Sequence, residues 1–204
     1  GNPYSEQREL TRIRISVRNL VEFIFRSGDI DNRIGKGAQK EAMQEGSRMH
    51  RKIQGRMGME YRAEVPLKLE VPQEQYVLAL EGRADGIITN ADGVTVDEIK
   101  CMYTDVTRFE EPIFVHKAQA MCYAYIYALQ NGLDQISVQL TYCDLDTEEI
   151  CRFEEAFSFF WLERWFQDMM EAYRKWTDFQ FAWRKIRQTS IQTLEFPFPY
   201  REGQ

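Results

Sequence analysis

The sequence predicts a mixed α/β (α+β) fold, with strands gathered into a central sheet and a long helix at the C-terminal end. Three observations carry this. Segments of helical and strand periodicity alternate along the chain, with no internal repeat and no low-complexity tract. Two strand-like runs are joined by Asn90-Ala91-Asp92-Gly93, a strong hairpin-turn signal. The stretch from about 155 to 188 is amphipathic throughout. With 204 residues, 44% of them hydrophobic, the chain has the size and composition to bury one core without metal or disulfide staples.

The elements follow in order. Ser16 is placed as the N-cap of a helix over 17–26, where Val17, Leu20, Val21 and Ile24 recur at helical spacing and Ser27-Gly28-Asp29 breaks the pattern. A second helix is expected over 38–56, ending at Gly58. Strands are expected over 61–71, 76–89 and 94–102, the last two pairing antiparallel through the hairpin turn. Pro112 opens a helix through Ala128, closed by Asn131-Gly132 as a C-cap. A strand over 136–143 follows, 150–153 can pair with it, and the long helix ends the domain. The expected order is α, α, β, β, β, α, β, β, α.

Charge and cysteine usage exclude several functions. The 26 basic and 32 acidic residues leave a net charge of −6, so bulk electrostatic grip on nucleic acid is not the design. Local carboxylates that hold cations remain compatible with a phosphodiester substrate. The most apolar stretch, 121–129, holds three tyrosines and is far short of the roughly 20 residues a bilayer span needs, so no membrane partner is expected. Gly1-Asn2-Pro3-Tyr4 lacks a basic n-region, an apolar h-region and an initiator Met, as expected of an expression scar or an internal cut and of a cytoplasmic location. Cys101, Cys122, Cys143 and Cys151 are widely spread in apolar surroundings and form no Cys-x-x-Cys pair, as expected of buried thiols in a reducing compartment.

Chemistry concentrates in Glu81-Gly82-Arg83-Ala84-Asp85-Gly86 and Asp97-Glu98-Ile99-Lys100. In paired strands, Glu98 and Lys100 project to one face because side chains alternate with period two, and Asp85 lies on the neighbouring strand. Two carboxylates and an ammonium can thus converge. Magnesium-like cations take one or two carboxylates plus water and substrate phosphate, and a nearby lysine can orient the attacking water or stabilise developing charge. The same spacing also suits a solvated strand face. His50, late in the second helix, offers an imidazole that can join such carboxylates. Gln119 and Tyr123, spaced i, i+4, share a helix face, which core packing would also explain.

Taken together, Gly46-x3-His50, Gly82-x2-Asp85, Glu98-Ile99-Lys100 and Gln119-x3-Tyr123 resemble the RecB-like branch of the PD-(D/E)XK nuclease superfamily, in family order and over about half the chain. The resemblance implies a restriction-endonuclease-like core, with Mg²⁺ or Mn²⁺ held by His50, Asp85, Glu98 and the backbone carbonyl of Ile99. It implies catalytic roles for Asp85, Glu98 and Lys100, and contact with DNA or support of the site for Gln119 and Tyr123. Glu64 matches a further acidic position of relatives and is not assigned as a ligand. Some relatives, including CRISPR-associated iron-sulfur nucleases, carry one cysteine before these motifs and three close together after them. Here none precedes Cys101, so no iron-sulfur cluster is expected.

Phe196-Pro197-Phe198-Pro199-Tyr200-Arg201-Glu202-Gly203-Gln204 resembles the Phe-Pro-Tyr-Arg-x-x-Gln segment that opens XPD/DinG-like superfamily 2 helicases. The expected organisation is therefore a nuclease domain over 1–188 and a linker over 189–204 leading to a helicase domain in cis. The expected activity is metal-dependent exonucleolytic hydrolysis of single-stranded or unwound DNA, in repair or recombination. Basic residues of the last helix, Arg164, Arg174, Lys175, Arg184, Lys185 and Arg187, suit DNA or a solvated face alike. Three rival readings are a restriction-type endonuclease, a catalytically silent DNA-binding or scaffolding module, and an acidic interaction domain with an aromatic stripe of Trp161, Trp165, Phe166 and Trp176.

Overall fold

The computed structural model describes residues 10–25 and 36–190, with the side chains of 10–25 and 43–187. The helix break at Ser27-Gly28-Asp29 and the segment from Phe196 to Gln204 lie outside the described residues. The chain divides into two compact units, Gly1–Phe166 and Gln167–Gln204.

The first unit holds a six-stranded mixed sheet, made of β1 (Thr11–Ser16), β2 (Tyr61–Pro72), β3 (Tyr76–Asn90), β4 (Gly93–Met102), β5 (Gln135–Asp144) and β6 (Ile150–Ser158). The strand order is β1-β3-β4-β5-β6, with β2 paired to β3. The β1–β3 and β4–β5 pairs are parallel and the others antiparallel. Helices α1 (Val17–Phe25), α2 (Lys36–Arg56) and α3 (Phe114–Asn131) flank the sheet, and α4 (Phe159–Ser190) begins in this unit. This is a restriction-endonuclease-like arrangement, a mixed sheet between helices.

Local chemistry accounts for the element ends. Ser16 Oγ accepts the Asn19 N–H at 3.0 Å and caps α1 as expected. Asn90 Oδ1 accepts the Asp92 N–H at 2.9 Å, and Gly93 at φ 120° completes the β3–β4 turn. Gly132 at φ 64° closes α3, with its N–H and that of Leu133 both returning to the Ala128 carbonyl. Pairing of β4 residues divides by period two. Asp97, Ile99 and Cys101 take the α2 side, where Met49, Ile53, Ile99 and Cys143 form a buried cluster. Glu98 and Lys100 take the α3 side.

Three boundaries differ from the expectation. Strand β1 was not expected, because its only large apolar residues are Ile13 and Ile15; a six-residue strand on the outer edge needs little more. Strand β6 continues to Ser158, so α4 starts at Phe159 rather than near 155: Glu154 and Glu155 sit exposed on an edge strand whose partners are Gln139 and Val138. Helix α3 starts at Phe114, two residues after Pro112.

One consequence of the topology builds the site. A strand has two hydrogen-bonding edges, and β2 occupies one edge of β3 along 77–88. Strand β1 therefore shares the other edge with β4, β1 covering 76–81 and β4 covering 86–90. Residues Gly82 to Asp85 lie in the interval between them, where β3 and β4 part.

The start of α4 packs by rings: Phe166 stacks on Tyr125 with centroids 4.3 Å apart, and Trp165 on Phe25 at 6.1 Å. In the second unit, Met169, Met170, Tyr173 and Thr177 are buried, and Trp176 stacks on Phe179 at 5.9 Å. Of the proposed aromatic stripe, Phe166 is buried and Trp165 half-buried, while Trp161 and Trp176 are exposed. Among the described residues, no helix is long and apolar enough to cross a membrane.

Candidate active site

At the parting of β3 and β4, the Asp85 carboxylate takes the place of a ladder bond: its Oδ2 accepts the Ile99 N–H at 2.6 Å. Its Oδ1 lies 3.6 Å from His50 Nδ1 of α2, and the two side chains are 13% and 28% exposed. The Glu98 side chain is 4% exposed and pairs with Lys100 Nζ at 3.6 Å. Lys100 Nζ also donates to Gln119 Oε1 at 3.1 Å, and Gln119 Nε2 donates to the Tyr123 hydroxyl at 3.3 Å. The Tyr123 hydroxyl in turn receives the Arg83 backbone N–H, so the open edge of β3 is closed by a side chain of α3. Gly82 makes room for this, since a Cβ there would stand 2.6 Å from the Tyr123 hydroxyl.

A chain of contacts thus links His50, Asp85, the Ile99 backbone, and, on the same strand, Glu98 and Lys100 with Gln119 and Tyr123. Lys100 is less exposed than a surface lysine, at 19%, because α3 covers it. Glu64 sits on the neighbouring strand β2, between the Ala63–Gly86 and Val65–Ala84 register pairs, with an unusual φ of 54°. Its carboxylate receives Gln54 Nε2 at 3.0 Å and lies 3.8 Å from Arg83.

Burial dominates the electrostatics. Glu98 is held well above the usual carboxylate range by burial first and then by the charge of Asp85, which Lys100 only partly offsets. Its Oε2 is buried with no hydrogen-bond partner. Burial also pushes Tyr123 up to about 12, with Glu98 adding to the shift. Such an unpartnered carboxylate oxygen beside a second carboxylate is unfavourable in the protein alone and becomes favourable with a cation between them. Among the described residues no three His, Cys, Asp or Glu side chains form a ready cage, whereas Mg²⁺ usually takes only one or two carboxylates from a protein. The donor set therefore fits a hard divalent cation.

The site also has supporting groups to which the sequence motifs gave no role. Gln54 Nε2 bonds the Asp85 carbonyl at 2.8 Å as well as Glu64; its spacing i, i+4 from His50 was the available signal. Behind the site, Asp97 is fully buried and receives Tyr61 at 2.7 Å, Thr141 at 2.6 Å and Gln139 at 3.2 Å. Burial raises the Asp97 pKa, and these three hydrogen bonds oppose the shift. The Tyr61 ring crosses Gly86, where a Cβ would stand 1.9 Å from it, so this glycine is required next to Asp85. Gly86 and Asp97 are the last register pair before the strands part, and nothing local in the sequence indicates that Tyr61 crosses it. His116 lies three residues before Gln119 on α3, a spacing that places both on one face. An open groove of about 580 Å³ is lined by Ser16, Lys68, Gly82 and Arg83.

No protein-family model matches the chain, and no curated protein matches it in sequence. Solved structures do resemble it. The alkaline exonuclease LHK-Exo of Laribacter hongkongensis, in complex with dAMP, superposes with a TM-score of 0.51 at 9% identity, over 87% of this chain and 94% of that one. The same exonuclease in another structure gives 0.49 at 11% identity over the same shares. The protein SSO0001 gives 0.47 at 20% identity, over 78% of this chain and 76% of that one. The first likeness shows a shared fold.

Proposed function

We propose that this chain is a metal-dependent DNA exonuclease domain of the RecB-like kind, hydrolysing phosphodiester bonds of single-stranded or unwound DNA with Mg²⁺ or Mn²⁺. The observation that carries the reading is the buried, unpartnered Glu98 Oε2 beside Asp85, with Lys100 held at 3.6 Å. His50, Asp85, Glu98 and the Ile99 carbonyl are the groups that would hold the cation. When bound, such a cation supplies Lewis-acid activation of water and of a phosphoryl oxygen.

The protein's own residues have distinct tasks. Lys100, fixed between Glu98 and Gln119, aims an ammonium donor at charge developing on phosphorus-bound oxygen. Gln119 positions Lys100 and is itself positioned by Tyr123. Asp85 is held by the Ile99 N–H and, through its own carbonyl, by Gln54, so its carboxylate does not drift when the site is charged. The exonuclease of similar fold solved with dAMP supports a nucleotide substrate here.

The same proposal includes a helicase domain following in cis, a place in DNA repair or recombination and a cytoplasmic location. The helicase part rests on the motif from Phe196 to Gln204. The test is hydrolysis of end-labelled single-stranded DNA with Mn²⁺, Mg²⁺ or EDTA, beside Glu98→Ala. Cation-dependent cleavage lost in Glu98→Ala is the expected result. Absence of both cleavage and divalent binding by calorimetry would favour the silent helicase-associated module instead.

A further inference from the structure

Two parallel pairs link α3 to the sheet. Lys100 and Tyr142 are register partners on β4 and β5. Gln119 of α3 reaches Lys100, and His116, three residues and about 4.5 Å of axial rise earlier, reaches Tyr142. The imidazole is set by its neighbours. The fully buried Tyr142 accepts the Ile113 N–H on its hydroxyl at 2.9 Å, which leaves the hydroxyl proton for His116 Nδ1, also at 2.9 Å. Nδ1 is then the acceptor and Nε2 carries the hydrogen. Among the described residues, Nε2 has no protein partner, and it is not one of the sealed polar atoms, so its N–H is available to a ligand. Burial, with Lys100 and Arg18 adding to it, presses the His116 pKa down to about 4, which keeps the ring neutral. The two cations near the ring also make its surroundings attractive to an anion.

We infer that His116 is a substrate contact, its Nε2–H donating to a backbone phosphate of the bound strand beside the one that Lys100 faces. This rests on the nuclease reading and adds to it a residue that binds the strand rather than one that activates the attack. Its signature is specific. A neutral donor adds affinity without releasing counterions, so removing it lowers affinity at every salt concentration while leaving the salt slope unchanged, unlike loss of a lysine or arginine contact.

The test measures a labelled single-stranded oligonucleotide by anisotropy in EDTA from low to moderate salt, and kcat and KM in Mn²⁺, for wild type, His116→Ala and His116→Gln. The expected result for His116→Ala is about a tenfold weaker affinity and a matching rise in KM, with kcat within about twofold and the salt slope unchanged. His116→Gln, which keeps an N–H donor, should recover much of the loss. Wild-type affinity and KM in a folded His116→Ala would overturn the inference. So would an equal loss in both variants accompanied by a lower melting temperature, since that marks a packing role. A wild-type protein that neither binds nor cleaves the oligonucleotide would instead overturn the nuclease reading itself, and the inference with it.

Discussion

Glu98→Gln should make the metal-free protein more stable while abolishing its activity. The wild-type carboxylate is 4% exposed, has one oxygen without a partner and lies beside the charge of Asp85. A buried unsatisfied group costs about 1–3 kcal/mol, more when charged, and the lost attraction to Lys100 returns about 1 kcal/mol. The net gain is then up to about 2 kcal/mol, which for a chain of this size raises the melting temperature by up to about 8 °C. The Gln amide can also donate to Asp85 at every pH, which the carboxyl does only while it keeps its proton. The pH dependence gives an independent sign. Because Glu98 holds its proton more tightly folded than unfolded, the native state binds more protons between the ordinary value of 4.5 and the raised native value. Stability is therefore fully present below 4.5 and falls as pH rises through the native value. Urea unfolding in EDTA at pH 5 and pH 8 should show a larger loss for wild type than for Glu98→Gln. Asp97, also raised by burial, leaves a residual slope in both. A variant less stable than wild type at pH 8, or two equal slopes, would refute the assignment of Glu98 as a strained cation ligand.

Lys100→Ala should abolish cleavage and also lower stability by about 1–2 kcal/mol in EDTA, because it leaves Glu98 without its cation; parallel cleavage and denaturation assays check both. Gly86→Ala should lose about 3 kcal/mol or more by forcing the Tyr61 ring off Asp97, and Tyr61→Phe only about 1–2 kcal/mol, compared by urea midpoints. Cys101 is pushed from 9.0 up to about 12 by burial, with Cys143 adding to the shift, so its thiolate at pH 8 is about a thousandfold scarcer than in the unfolded chain. Alkylation followed by peptide mass mapping should find Cys101 modified only under denaturing conditions.

Legibility in the sequence follows the range of the interaction. The pairing of Glu98 with Lys100 needs only strand alternation, the β3–β4 turn needs Asn90 and Gly93, and the shared face of Gln119 and Tyr123 needs only the helical repeat. Each is set by atoms a few residues apart, so the sequence by itself determined every element but β1, the hairpin and the identity of the charged groups on it. Tertiary structure decided the rest. Strand β1, with only Ile13 and Ile15 to mark it, takes one end of the β3 edge and leaves Gly82 to Asp85 open. Tyr61, far away in sequence, covers Gly86 and holds Asp97, and α3 turns an ordinary strand lysine into a mostly buried one. Which edge a strand occupies, and how deeply a charge is buried, depend on partners tens of residues away and on the space they leave. That is why residue types and spacing indicated the chemistry, while the parting of β3 and β4 that concentrates it became visible only in the folded chain.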